Sequence, residues 1–313
     1  MKIAKKWLIV GASGLLGGRL ASYLQARNHE VVALYWQHPL LGNLARFGLQ
    51  VNLLDGKDAC QRAISDIAPD VVINCAGLTN VDQCEDDPDQ AVLLNSNLAG
   101  RLADASNRQG CFFVHISTDH LWDGRCRSVA EDMPLDPINV YAKTKAGGEV
   151  EVRKAHPQSL VLRTNFFGPS LPWRKSFSDW LTEELCAGRP INAFSDVFFT
   201  PIATDLLCAR IVELVDKKVS GVLNLAGGER VSKYDFAMRW AERTGLDKSL
   251  IHAGLVKDRN LRAPRPGDMS LDCSKAEAIL GRPMPSLDES FLALDESLLT
   301  YDSSHTNCET ETK

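Results

Sequence analysis

The stretch Trp7-Leu8-Ile9-Val10 followed by Gly11-Ala12-Ser13-Gly14-Leu15-Leu16-Gly17 constrains the fold of this chain more than any other. Four apolar residues with no polar alternation read as a strand covered on both faces. The glycines then open a helical run, Gly14 to Ala26. Such a turn presents backbone N–H groups at a helix N-terminus, where a pyrophosphate binds with no Cβ in the way. Gly11 is expected to permit the tight turn, Gly14 the close approach of the ligand, and Gly17 the packing of helix on strand. Ser13, Leu15 and Leu16 complete the loop. The spacing is GxxGxxG rather than GxGxxG, so the inference rests on the loop's position after a buried strand.

The pattern continues along the chain. Strands are expected at Glu30–Leu34, Gln50–Leu53, Val71–Asn74, Cys111–Ser117, Ser159–Arg163 and Val222–Leu225. Helical stretches at Asp58–Ala68, Asp89–Gln109 and Ala142–Ala155 supply the crossovers of an α/β fold, a doubly wound parallel (Rossmann) sheet. A smaller substrate-binding lobe is expected from residues 165–195, with a helix Ser176–Ala187, and from 229–300, with a helix Lys233–Thr244 and a proline-rich loop at 262–266. It would lie over the carboxyl edge of the sheet, where open α/β folds bind ligands. Residues 1–164 and about 196–228 then form the dinucleotide-binding domain. Residues 301–313 are too poor in apolar groups to order themselves and read as a disordered tail.

Composition narrows the function classes. The 313 residues carry a net charge of −5 and no run of five basic residues, which argues against a nucleic-acid partner. Nothing apolar approaches the ~18 residues of a membrane span. The basic, then apolar N-terminus enters a glycine loop instead of a cleavage site, so a cytoplasmic location is expected. The nine cysteines include no CxxC pair and read as reduced thiols, with neither a disulfide framework nor a metal site.

Tyr141 and Lys145 follow a Pro/Asp/Asn-rich start signal and share a helix face. A neighbouring ammonium favours a phenolate, which would bring a tyrosine from its ordinary value near ~10 toward use as an acid or base. Alone, the pair would be a surface contact. Thr118, at the carboxyl end of the fifth strand, adds a hydroxyl suited to a substrate carbonyl. Loop, hydroxyl and Tyr/Lys come in the chain order that reductase chemistry needs. The second strand ends Leu34-Tyr35-Trp36-Gln37-His38 with no acid for a ribose 2′-hydroxyl; with His38 and Arg46 nearby this favours NADP(H), with NAD(H) as the alternative. Asp55 is read either as an acceptor for the adenine amino group or as a helix N-cap.

With these residues in place, the sequence resembles the extended short-chain dehydrogenase/reductases, and within them the dTDP-4-dehydrorhamnose reductases, over about residues 5–295. The segments carrying the likeness are ValIleAsnCysAlaGly at 72–77, Thr79 to Glu85, IleSerThrAspHisLeuTrpAspGly at 116–124, AsnValTyrAlaLysThrLys at 139–145, Gly148-Glu149, Leu162-Arg163-Thr164 and Arg265-Pro266. The resemblance implies a reductase of a nucleotide-diphosphate 4-keto-6-deoxyhexose: a nicotinamide hydride goes to C4, Tyr141 protonates the oxygen, Thr118 polarises the carbonyl, and Lys145 also holds the nicotinamide ribose. It further implies cofactor contacts from Asn74, Ala76 and Gly77, and substrate contacts from Thr79, Asp119, His120, Asn165, Phe166 and Arg265. Phe166 stands where the rhamnose enzymes have Trp, and His120 where they have Tyr. His120 also replaces the acid that a 4,6-dehydratase needs. An epimerase and a non-catalytic partner like the regulatory β subunit of methionine adenosyltransferase are the remaining alternatives. A homodimer is a further expectation. His115 reads as a satisfied core group, Asp82 and Glu85 as loop or helix-cap acids, Trp173 and Trp180 as lobe core. Arg265 is read either as a diphosphate fork or as a salt-bridge partner.

Overall fold

The computed structural model describes residues 5–56 and 58–298. Its centre is a seven-stranded sheet of β1 (Lys6–Val10), β2 (Glu30–Tyr35), β3 (Gly48–Gln50), β4 (Val71–Asn74), β5 (Phe112–Ile116), β6 (Leu160–Arg163) and β7 (Gly221–Asn224). All pairings are parallel and the spatial order is 3-2-1-4-5-6-7. Successive side chains point to opposite faces, and both faces are covered. Trp7, Ile9, Ile73, Val114 and Leu162 belong to one cluster, built with α1 (Leu15–Gln25). Leu8, Val10, Val72, Phe113 and Val161 belong to the other, built with α2 (Ala59–Ile67) and α3 (Leu98–Gln109). This is why the strands read as unbroken apolar runs.

α4 (Val140–Ala155) follows β5. α5 (Phe177–Cys186), α6 (Thr204–Asp216), α7 (Lys233–Thr244), α8 (Ser274–Leu280) and α9 (Leu287–Leu298) follow. A third cluster is separate from the sheet and rich in aromatic rings: Phe167 meets Phe236 edge-on with centroids 5.0 Å apart, Trp240 meets Phe291 edge-on at 5.2 Å, and Phe236 stacks on Trp240 at 6.4 Å. Leu271, Cys273, Ala276 and Leu280 lie with the sheet's core instead, although their segment was expected in the lobe.

Other expectations shift. The third strand is Gly48–Gln50, not Gln50–Leu53; beyond it Val51 N–H still donates to Tyr35 O at 2.9 Å, and Leu53 turns into the core. The helix expected at Asp89–Gln109 is three pieces: Pro88–Val92, a π turn at Leu93–Asn97, and α3. The 301–313 tail lies outside the described residues. Among those described, no helix is long and apolar enough to cross a membrane.

Behind the carboxyl edge lies a buried ion pair. Arg163, ending β6, meets Glu149 of α4 with Nε at 3.0 Å from Oε1 and Nη2 at 2.8 Å from Oε2. Ser117 donates to the same Oε1 at 2.6 Å, and Arg163 Nη1 donates to Glu131 O at 3.1 Å. Removing one partner leaves a charge out of water with nothing to offset it. Glu149→Ala is therefore expected to cost about 3–5 kcal/mol, seen as a lower urea midpoint at an unchanged slope.

Candidate active site

The glycine loop joins β1 to α1. Gly11 takes φ +78°, and a Cβ there would lie 2.6 Å from Ala76 N; a Cβ on Gly17 would lie 2.3 Å from Gly11 O. The loop is thus pressed against both the residues after β4 and its own helix. Gly14 is the N-cap of α1, contributes no side-chain cap, and no acid occupies the first turn. The first-turn N–H groups, from Leu15 and Leu16 onward, remain open to a diphosphate. These residues fit a dinucleotide. Tyr35 ends β2, half-buried against the sheet's core. Asp55 is exposed and does not cap α2, whose N-cap is Asp58.

Trp173 departs from its expected place in the lobe core. Its Nε1–H donates to Ser13 O at 2.9 Å, and its ring stacks on His38 with centroids 4.9 Å apart and planes 6° from parallel. A segment far along the chain is thereby clasped to the glycine loop and to the end of the second strand. Trp180 does pack against the lobe cluster.

Asn139 caps α4, accepting from Ala142 N–H at 2.8 Å, while Glu85 accepts from Val140 N–H at 2.8 Å. In the first turn, Tyr141 packs with Cys84 and Ala91. The His120 ring meets it edge-on at 5.5 Å. Burial pushes the Tyr141 phenol up to about 12; the Thr118 side chain opposes this, Asp119 adds to it, and Arg174 opposes it from the loop before α5. The expected lowering by Lys145 is absent. The Lys145 ammonium turns away, donating to Ile116 O at 2.7 Å and lying 3.5 Å from His115 Nε2. Burial brings Lys145 down to about 8, against the pull of Glu149 and Cys75.

Beside the pair, Thr118 donates to Asp119 Oδ1 at 3.3 Å and accepts from His120 N–H at 3.3 Å. Asp119 is buried and takes a 2.6 Å bond from Asn165 Nδ2. Burial lowers the His120 pKa; Asp119 opposes, while Lys233 and Arg265 act with burial. Phe166 pairs with Ile202 and lies half-buried against the sheet's core. Arg265 forms a salt bridge to Asp82, Nη2 to Oδ2 at 2.9 Å, and also donates to Ala263 O at 2.9 Å. Asn74 and Ala76 bond to one another, Gly77 lies against Asn95, and Thr79 is exposed beside the cap Asn80.

Sequence reasoning missed three residues here. Asn95, buried in the π turn, accepts from Leu78 N–H at 2.8 Å and donates to Thr144 Oγ1 at 3.0 Å. Arg174 faces the phenol electrostatically. Lys233 holds its ammonium 3.3 Å from the Phe199 ring centroid, with burial lowering it to about 8 and Asp119 opposing. Only Asn95 left a signal, as a polar residue within an apolar helical run. Among the described residues no group of three His, Cys, Asp or Glu side chains gathers as a metal site.

A glycine loop open to a diphosphate on a doubly wound sheet, with Thr118 and Tyr141 at its carboxyl edge and Lys145 one turn along the same helix, defines a dinucleotide-dependent protein of the short-chain dehydrogenase/reductase type. The family model "RmlD substrate binding domain" matches residues 5–297, and the chain belongs to this family. A probable low-salt glycan biosynthesis reductase of Haloferax volcanii is 32% identical over 94% of this chain and 99% of its own length. The dTDP-4-dehydrorhamnose reductase of Mycolicibacterium smegmatis is 32% identical over 84% of this chain and 77% of its own. The methionine adenosyltransferase 2 β subunit of Rattus norvegicus is 29% identical over 90% of this chain and 85% of its own. Among solved structures, a dTDP-4-dehydrorhamnose reductase of Clostridium acetobutylicum superposes with TM-score 0.82 at 27% identity, over 94% of this chain and 99% of that one.

The Lys145 value has a consequence for stability. Its folded pKa, about 8, lies below the ordinary lysine value of 10.5. Below pH 8 both states are charged and the folded state bears the whole cost of the buried ammonium; as pH rises from 8 to 10.5 that cost disappears. Wild type is expected to gain roughly 3 kcal/mol relative to Lys145→Met across this window, measured by urea unfolding of both proteins at a series of pH values.

Proposed function

We propose that this chain reduces the C4 carbonyl of a nucleotide-diphosphate 4-keto-6-deoxyhexose, with NADP(H) preferred over NAD(H). The observation that carries the reading is the meeting of Tyr141, Thr118 and His120 at one end of the sheet, with Lys145 one turn behind the tyrosine. The glycine loop and the first turn of α1 hold the diphosphate of the dinucleotide. Tyr35, His38 and Trp173 wall its adenosine end, and β2 runs out through Tyr35-Trp36-Gln37-His38 with no acid to compete for a 2′-phosphate. When bound, the reduced nicotinamide supplies a hydride.

Thr118 donates a hydrogen bond to the substrate carbonyl and Tyr141 gives its proton to the same oxygen. A proton donor that stays protonated until the oxygen becomes basic suits this direction of reaction, and burial of Tyr141 provides that. With His120 in place of the second acid that a dehydratase needs, Asp119 has no acid partner for elimination, which favours reduction over dehydration. Sheet and glycine loop serve the dinucleotide, and the aromatic lobe serves the sugar. The reaction takes place in the cytoplasm, on a nucleotide-sugar substrate. A homodimer is the expected assembly.

The second reading, a regulatory subunit, has the similarity to the methionine adenosyltransferase β subunit in its favour. Assaying a panel of 4-keto sugar nucleotides with NADPH and NADH, by loss of nicotinamide absorbance, separates the two. Turnover is expected, faster with NADPH; no oxidation of either cofactor with any substrate favours the regulatory subunit. Tyr141→Phe is expected to lower kcat by about 10²–10⁴-fold while NADPH binding, followed by fluorescence titration, stays near wild type. Normal turnover by the Phe variant would remove Tyr141 from the proton-transfer role.

A further inference from the structure

Behind Lys145 lies a pair of buried side chains that the reduction as described does not use. Asn74 ends β4 and His115 is its partner across the β4–β5 ladder; both are 0% exposed. Ala76 N–H donates to Asn74 Oδ1 at 3.0 Å, which fixes the amide and turns Nδ2 toward His115 Nδ1 at 3.1 Å. An amide nitrogen only donates, so Nδ1 is the acceptor and a neutral ring carries its proton on Nε2. Burial keeps the ring neutral, with Lys145 acting in the same direction. The Nε2 so protonated faces Lys145 Nζ across 3.5 Å.

An ammonium has no lone pair for that proton; an amine has one. The contact therefore becomes a hydrogen bond only after Lys145 has released a proton. The opposite arrangement, an ammonium donating to Nε2, needs the ring proton on Nδ1. That proton would point at the Asn74 N–H, and turning the amide to receive it would break the bond from Ala76.

We propose that His115 is a positioning residue for Lys145, presenting an Nε2–H oriented by Asn74 that receives the amine once the lysine has passed its proton on. The step it serves rests on the reductase reading. Tyr141 gives a proton to the sugar oxygen, Lys145 restores it, and solvent reprotonates Lys145, one proton per turnover. The other groups facing Lys145 are already committed. Cys75, at the end of β4, is held as a thiol by burial, its pKa up to about 12. Glu149, one turn along α4, is bound by Arg163 and Ser117. Tyr141 lies one turn back on the same helix. His115 is the neighbour whose N–H is fixed in place, by Asn74, facing the amine.

Nitrogen-15 NMR of the full chain, labelled at histidine and assigned with His115→Gln, reads which ring nitrogen is protonated; Nε2 is expected. Labelling at lysine, assigned with Lys145→Arg, gives the Lys145 titration directly. In His115→Phe it is expected to move up by roughly one pH unit, because the favoured partner of the neutral amine is gone. A ring protonated on Nδ1, or a Lys145 titration that His115→Phe leaves in place, overturns the proposal. If the Phe variant does not fold, the tautomer in the wild-type protein decides. Both readings are made without substrate, so they hold whether or not any 4-keto sugar nucleotide is reduced. With an active enzyme, the alkaline limb of kcat is expected to move up with Lys145 in the variant, KM staying unchanged.

Discussion

The buried pair of Glu149 and Arg163 is the contact on which the geometry of this protein turns. Taking either charge out of water costs several kcal/mol, and the loss is offset only if nearly every donor and lone pair finds a partner. Here the guanidinium gives three bonds to one carboxylate and one to Glu131 O, with its flat face toward Trp122 at 5.2 Å. Ser117 completes the carboxylate, and the Glu131 side chain accepts from Asn224 N–H of β7 at 2.9 Å. The arrangement can be satisfied in one register of α4 against β5 and β6. A slide of α4 by one residue would strand both charges. That register sets Lys145 one turn before Glu149 and Tyr141 one turn before that, opposite the loop that begins at Ser117.

The other side of α4 is held by a different device. The π turn at Leu93–Asn97 buries Asn95, which bonds both the N–H and the carbonyl of Leu78 and also reaches Thr144 beside the lysine. A π turn is a local widening of a helix and often marks a site where a side chain is needed in an unusual place. Helix and turn approach so closely that a Cβ on Gly148 would stand 2.2 Å from Asn95 O. The loop after β4, which supports the glycine loop through Ala76, and the helix bearing Tyr141 are thus fastened to one residue.

Much of this was legible in the chain itself, for physical reasons. A strand covered on both faces must be apolar at every position, so β1, β4, β5 and β6 announce themselves. Their edge partner β3 does not: it buries only part of itself, and its reading slipped toward the more apolar Val51 to Leu53. The α7 boundaries were legible because Ser232 and Asp235 form a reciprocal capping box and Gly245 ends the helix in a left-handed turn. α6 was passed over; its N-cap, Ala203, offers no side-chain signal. Tyr141, Lys145 and Thr118 could be found because their chemistry requires fixed local spacing. Trp173 could not, since its bond to Ser13 spans 160 residues and leaves no periodic trace.

The same division explains why the motif alone gave the wrong direction for Tyr141. Spacing places a lysine beside a tyrosine and suggests a lowered phenol, but in the folded protein the ammonium donates to the Ile116 carbonyl, away from the phenol, and burial dominates. The cations that do act on the site come from elsewhere: Arg174 from the loop before α5, Lys233 from the start of α7, and Arg265 from the proline-rich loop. All three lie on segments outside the glycine loop and α4. At Tyr141 and His120 these cations from the part of the chain proposed to hold the sugar act beside burial and the nearer charge of Asp119. In a low-dielectric pocket such charges act over longer distances than in water. An anionic substrate that engaged these cations would also change the field at the phenol, and binding would then be coupled to proton transfer.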